Sequence, residues 1–163
     1  MAASEGLNKG AEFTLRLPAL ANVEPATPDS VAPKELVTHK RHILIGEDNA
    51  IAAEGLKHVL QDAGHEVRLA LDGAEALSAA KEELPEIAIF DIGLPGMDGF
   101  ELARRLRKLP GANQLLLIAL TGYGQEKDRI QSKEAGFDYH LIKPADLRQL
   151  LEIINNWSPA EYP

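Results

Sequence analysis

The sequence contains no cysteine, so it can form no disulfide, no thiolate metal site and no cysteine nucleophile. It has no apolar run long enough to cross a bilayer and no secretory signal pattern at its start. These absences predict a soluble, cytoplasmic chain with no membrane contact. Aromatic residues are scarce, at 5% of the chain against 45% hydrophobic overall, which suits an α/β core built from Leu, Ile, Val and Ala. A basic surplus is also missing: 17 Lys and Arg face 25 Asp and Glu, a net charge of −8. Residues 1–40 hold 4 basic and 5 acidic residues, so residues 41–163 hold 13 and 20 and carry −7 of that charge. A nucleic-acid surface needs a basic patch to neutralise phosphates, and none is expected here. The single basic cluster, Arg104, Arg105, Arg107 and Lys108, falls on a predicted helix and reads as a solvated face.

What is present divides in two. In residues 1–17 the stretch Ala11-Glu12-Phe13-Thr14-Leu15-Arg16-Leu17 alternates as one strand would, and one strand cannot stand alone in water. Residues 18–40 carry Pro18, Pro25, Pro28 and Pro33 among small polar residues, which is linker composition. From Arg41 the pattern becomes regular. His42 to Ile45 is a short apolar run ending at Gly46-Glu47-Asp48-Asn49, where Asn49 can cap a helix. Ala52, Leu56, Val59, Leu60 and Ala63 then recur at helical spacing until Gly64.

Glu66–Ala70 alternates as a second strand, and Asp72-Gly73 starts a helix with Ala76, Leu77, Ala80 and Leu84 on one face. Ile87–Asp91 is a third strand, followed by a helix from about Gly99 to Leu109 and a break at Pro110-Gly111. Leu115–Leu120 is the most apolar run and ends on Thr121-Gly122. A fourth helix over about Glu126 to Ala135 leads to a fifth strand, Tyr139–Ile142, which ends at Lys143-Pro144. Asp146 opens the last helix, with Leu147, Leu150, Leu151, Ile154 and Trp157 on its face. Strict alternation of five strands and five helices implies βαβ units, right-handed crossovers and a parallel sheet.

Chemistry in open α/β sheets sits beyond the carboxyl ends of the strands. The first strand ends on Glu47 and Asp48, the third on Asp91, the fourth on Thr121 and the fifth on Lys143. Each alone has a bland reading as a cap or a solvated charge; their joint placement at one sheet edge does not. Three carboxylates brought together repel one another, and a divalent cation removes that cost. Few oxygen ligands with open positions favour Mg²⁺ over Zn²⁺ or Ca²⁺. Lys143 and Thr121 can neutralise and bind phosphoryl oxygens, and Asp91 can be a nucleophile.

Residues 41–157 resemble a response-regulator receiver domain, the phospho-accepting module of two-component signalling. The likeness rests on Glu47-Asp48 in Gly-Glu-Asp-Asn and on Asp91 in Phe-Asp-Ile-Gly-Leu-Pro-Gly-Met-Asp-Gly. It rests equally on Thr121 in Leu-Thr-Gly and Lys143 in Ile-Lys-Pro. The resemblance implies a flavodoxin-like (βα)5 fold with strand order 2-1-3-4-5 and a phosphohistidine donor on a histidine kinase or histidine phosphotransfer domain. It implies Mg²⁺ held by Asp48, Asp91, Glu47 through water and the backbone carbonyl of Gly93. It also implies a cis peptide before Pro144. The family's switch position, usually Tyr or Phe, is His140 here; a switch role and a partly exposed strand histidine are both open readings. Gly93 and Tyr123 fall at positions that tune phosphoryl lifetime in the family.

Residues 4–18 resemble the final strand of a histidine-kinase ATP-binding domain. The implied organisation is a kinase remnant over 1–17, a linker over 18–40, a receiver over 41–157 and a tail over 158–163, as at the end of a hybrid histidine kinase. The remnant lacks nearly all of the nucleotide-binding fold, so no kinase activity is expected of it, and its strand is expected to be unpaired or to join a sheet edge. With no output module following Trp157, output is expected through protein contacts. The last three elements, joined by Trp157, offer a homodimer surface. Three rival readings are weighed against this one. A haloacid-dehalogenase-type phosphatase needs a second Asp where Gly93 stands. A flavodoxin needs phosphate-binding donors where the loop after the first strand is acidic. A receiver-like interaction domain that never takes phosphate would have no use for the full set of polar strand ends.

Overall fold

A computed structural model of the chain describes residues 2–3, 12–13, 39–122 and 126–159. The chain divides into two units, Met1–Lys34 and Glu35–Pro163. In the first, Glu12–Phe13 pairs antiparallel with Ala2–Ala3, with Ala2 opposite Phe13 and Ala3 opposite Glu12. The expected lone strand therefore has a partner, supplied by two small residues whose sequence carries no strand signal. The rest of the expected strand and nearly all of the Pro-rich linker lie outside the described residues, as do Tyr123 and the end of the expected tail.

In the second unit, β1 (His42–Gly46), β2 (Glu66–Ala70), β3 (Ile87–Asp91), β4 (Leu116–Thr121) and β5 (Tyr139–Ile142) form one sheet. All its pairings are parallel, in the order β2-β1-β3-β4-β5. Helices α1 (Ala50–Asp62), α2 (Gly73–Glu82), α3 (Gly99–Leu106), α4 (Glu126–Ala135) and α5 (Leu147–Asn156) alternate with the strands. This is the flavodoxin-like order expected from the sequence. Alternate strand residues point to opposite faces, and the core divides accordingly. Leu44, Ala88, Phe90, Leu117 and Ala119 meet α2 and α3 on one side. Ile43, Ile89, Ile118 and Leu141 meet Leu60 of α1 and Leu150 and Ile154 of α5 on the other.

Helix starts follow the sequence. The Asn49 side chain accepts from the amides of Ile51 and Ala52, and Asp98 and Asp146 cap α3 and α5 in the same way. At α2 Asp72 accepts from the Glu75 amide, and the Glu75 side chain accepts from the amide of Leu71, one residue before the cap. Several expectations fail. Helix α3 stops at Leu106, and a 3₁₀ turn over Ala112–Gln114 follows the Pro110-Gly111 break. Ala52 is exposed and Ala53 takes its place in the core. Trp157 is 8% exposed, so it offers no contact surface. Its ring lies 5.2 Å from the Arg41 guanidinium, which also donates to the Trp157 carbonyl and to Glu86.

Arg107 is the main departure from the solvated-face reading of the basic cluster. Arg104 and Arg105 do face solvent, paired with Glu101. Arg107 instead turns under the sheet and donates to the carbonyls of Gly136, Ala112 and Leu115 and to Asp138 at 2.6 Å. Asp138 in turn accepts the Leu117 amide at 2.7 Å, so one guanidinium ties α3, β4 and the turn before β5 together. Removing it leaves a carboxylate and three carbonyls short of donors, a class of loss that costs about 3 kcal/mol or more. We expect Arg107→Ala to lower the unfolding free energy by about 3 kcal/mol in urea titrations. Arg107→Lys should recover only a minor part, because an ammonium cannot span the same fork of acceptors.

Candidate functional site

Two glycines bring the strand ends close. A Cβ on Gly46 would stand 2.7 Å from the Phe90 ring, so only glycine lets that ring pack under the end of β1. A Cβ on Gly99 would stand 2.8 Å from the Asp91 carbonyl oxygen and from the Ile92 Cα. Glycine at the start of α3 thus allows the helix to seat directly on the backbone of Asp91. The loop between them closes with the Gly99 amide donating to Ile92 at 3.0 Å. On the sheet side, Ile92 donates to the Leu120 carbonyl and Glu47 to the Ala70 carbonyl, so both acidic ends continue their ladders by one residue.

Glu47, Asp48 and Asp91 converge there, with one carboxylate oxygen of each within 4.8 Å of the others. Glu47 is buried, Asp91 is half-buried and Asp48 is exposed. Lys143 reaches across from the end of β5 and donates to Glu47 Oε2 at 2.5 Å and to Asp91 Oδ2 at 2.6 Å. The other Asp91 oxygen, Oδ1, accepts the Gly93 amide at 2.8 Å, and Glu47 Oε1 accepts the Asn49 amide at 3.3 Å. Burial of the Lys143 ammonium works to lower its pKa. The hydrogen bonds and charges of Asp91 and Glu47 outweigh that and raise it. The lysine is therefore charged at neutral pH, and three carboxylates with one ammonium leave the cluster at −2.

The remaining residues picked out by sequence stand around this cluster. Thr121 closes β4, is buried, and its carbonyl accepts the Lys143 amide at 2.7 Å. The Lys143–Pro144 peptide is cis, as the resemblance implied. Gly93 leaves the approach to Asp91 open: a Cβ there would lie 3.5 Å from Asp91 Oδ1. His140 stands one strand over, opposite Ala119 in the register that sets Thr121 opposite Ile142. Its hydrogen bond goes to Ser132 of α4 at 2.8 Å and to no member of the acidic cluster. Ser132 was not singled out from sequence, although its three-residue spacing from buried Ala135 marks it as a core-facing position of α4.

An apolar groove of about 330 Å³ runs from this site between α1 and the start of α5, lined by Ala52, Leu56, Val59, Pro144 and Leu147 together with Glu47 and Lys143. Beside it, Ile51 is 86% exposed. Among the described residues no helix is long and apolar enough to cross a membrane.

The family model for the response regulator receiver domain matches residues 43–155. The phosphate regulon transcriptional regulatory protein PhoB of Rhizobium meliloti is 37% identical over 109 residues, which are 67% of this chain and 48% of PhoB; the chain thus spans about half the length of that relative. A CheY-like response regulator receiver domain protein from Methanospirillum hungatei has a solved structure similar to this one. Its TM-score is 0.66 at 34% identity, covering 71% of this chain and 91% of the other. The receiver domain of the sensor histidine kinase PA1611 from Pseudomonas aeruginosa, solved with a magnesium ion in its active-site cleft, has a TM-score of 0.67 at 28% identity. That likeness covers 73% of this chain and 98% of that one. With the family model spanning more than half of its length and the fold agreeing strand for strand, this chain belongs to the response regulator receiver domain family and is a phospho-accepting receiver of two-component signalling.

Proposed function

We propose that Asp91 is the residue that takes the phosphoryl group. The observation that carries this reading is the Lys143 ammonium held between Asp91 and Glu47 at the mouth of a cluster of charge −2. A carboxylate oxygen of Asp91 attacks phosphorus and forms the acyl phosphate O–P bond while the N–P bond of a phosphohistidine breaks. The electron pair of that bond stays on the imidazole nitrogen, and water later cleaves the acyl phosphate. Lys143 moves from the carboxylates to the transferred phosphoryl oxygens, supplying a fixed positive charge where negative charge gathers. The Thr121 hydroxyl takes a second phosphoryl oxygen. The Gly93 amide keeps the Asp91 carboxyl oriented, and the missing side chain at that position leaves the line of attack open.

The all-oxygen donor set of Glu47, Asp48, Asp91 and the Gly93 carbonyl fits Mg²⁺, a hard cation that keeps waters of its own. When bound there, Mg²⁺ supplies the charge neutralisation that brings an anionic phosphoryl group to an acidic site. The PA1611 receiver, with its magnesium ion, supports this assignment.

The donor protein must lie against the mouth of the site. The groove between α1 and α5 shares Glu47 and Lys143 with that site and is flanked by exposed Ile51. We assign it to the histidine kinase or phosphotransfer domain that carries the phosphohistidine. A hybrid histidine kinase remains our reading of the wider organisation, with residues 1–17 as kinase remnant, 18–40 as linker and a cytoplasmic receiver. Exposed Ile130, Tyr139 and Ile142 on the last elements support a homodimer surface there, without Trp157.

Three outcomes test the reading. Beryllofluoride with Mg²⁺, a mimic of the acyl phosphate, should shift the amides of Gly93, Thr121 and Lys143 in NMR spectra of the wild type and leave Asp91→Ala unchanged. Equal responses in the two proteins, or none in a wild type that still binds Mg²⁺, would remove Asp91 from this role. Lys143→Met should bind Mg²⁺ at least as tightly by calorimetry, since the cluster loses its only counter-charge. Its phosphorylation by acetyl phosphate should nonetheless fall about 10²-fold or more, the usual loss with one charge-stabilising group. Ile51→Glu should slow transfer from a phosphohistidine protein and leave the rate with acetyl phosphate as it was.

A further inference from the structure

His140 and Ser132 are joined in a way that fixes more than a distance. Ser132 is 1% exposed. Its hydroxyl lies 2.8 Å from the Asp128 carbonyl one turn back in α4, and 2.8 Å from His140 Nδ1. A hydroxyl has one proton. The Asp128 carbonyl can only accept, so that proton is committed to it, and the contact to His140 must be made by a proton on Nδ1. Nε2 then carries the lone pair; it is buried and has no hydrogen-bond partner. Burial, the leading influence, pushes the His140 pKa down; Asp128 opposes this and Arg129 adds to it, so the ring is neutral at pH 7.

We propose that Ser132 is the positioning residue of the switch: its hydroxyl holds His140 as the Nδ1–H tautomer and ties β5 to α4, so that movement of the His140 ring is passed to α4. The transmission half of this proposal rests on Asp91 being the phospho-acceptor. In strand register, His140 and Thr121 lie on the same face of the sheet on adjoining strands, each beside the other's neighbour. The Ser132 bond is the one side-chain hydrogen bond among the described residues joining that face of β5 to α4. A Tyr or Phe at position 140 could not make it through a ring nitrogen. Here the link between sheet edge and helix is a directed hydrogen bond in place of aromatic packing, and one proton decides its direction.

Two arms test this on the full chain, labelled with ¹⁵N. In the first, long-range ¹H–¹⁵N correlation spectra report which nitrogen of His140 bears the proton. The wild type should show Nδ1–H, and Ser132→Ala should move toward the Nε2–H form. An Nε2–H tautomer in the wild type overturns the proposal, and so does a Ser132→Ala spectrum with the Nδ1–H form intact. In the second, Mg²⁺ and beryllofluoride are added, and amide shifts are read at Gly93 for the site and at Arg129 and Lys133 for α4. Ser132→Ala should keep the Gly93 response and lose most of the α4 response. His140→Phe, which leaves the Ser132 side chain in place, should lose it to the same degree, and the double variant should lose no more than either. An α4 response as large as wild type in both single variants overturns the transmission. If the wild type responds nowhere, phospho-acceptance by Asp91 fails and transmission with it, while the tautomer arm, which needs no phosphoryl mimic, still decides whether Ser132 holds the ring.

Discussion

Like charges held together by the fold govern this molecule. Glu47, Asp48 and Asp91 are brought within 4.8 Å of one another, where like charges repel. A single ammonium, Lys143, bridges the two least exposed of the three. The arrangement is tolerable because Lys143 is itself part-buried and its charge is fixed by those partners. It is also incomplete, since the cluster keeps a net charge of −2. The same imbalance that costs stability makes the site receptive to a cation. In the transfer we propose, Lys143 turns from carboxylate to phosphoryl oxygen once negative charge arrives.

The rest of the fold holds those groups in place against their repulsion. Parallel pairing puts all the strand ends on one edge, and β4, buried throughout, and β3, buried up to Asp91, leave their backbones no freedom to splay. Glycines at 46 and 99 permit approaches that any side chain would block. At the opposite edge Arg107 gathers α3, β4 and the turn before β5, and Arg41 fastens the start of β1 to the end of α5. The two ends of the sheet are thus built by different chemistry. The lower edge is tied by cations donating to carbonyls and carboxylates. The upper edge is left electrostatically unfinished.

His140 lies on β5 opposite Ala119, on the same face of the sheet as Thr121. It is half-buried, neutral and bonded to α4 through Ser132. A buried imidazole with one nitrogen engaged and the other without a partner is poorly satisfied. That residual cost leaves room for a second ring position to compete.

The alternation of five strands with five helices, the caps at Asn49, Asp72, Asp98 and Asp146, and the acidic and basic strand ends could all be read from the chain. Each is written in residues close together in sequence: a period of two, a period of 3.6, or a cap three residues ahead of its amide. The family likeness followed from the order of those ends. The tertiary structure decided which charges meet. Lys143 finds Glu47 96 residues away and Asp91 52 residues away, a meeting set by strand order and register. Periodicity cannot tell Ala52 from Ala53 at a helix start, because adjacent positions there differ only by how the helix is rotated on the sheet. Nor could composition separate Arg107 from Arg104 and Arg105, since only the folded turn before β5 supplies its acceptors. The bond from Ser132 to His140 belongs to the same class: each residue is ordinary in its own element, and only the packing of α4 on β5 gives the pair a direction.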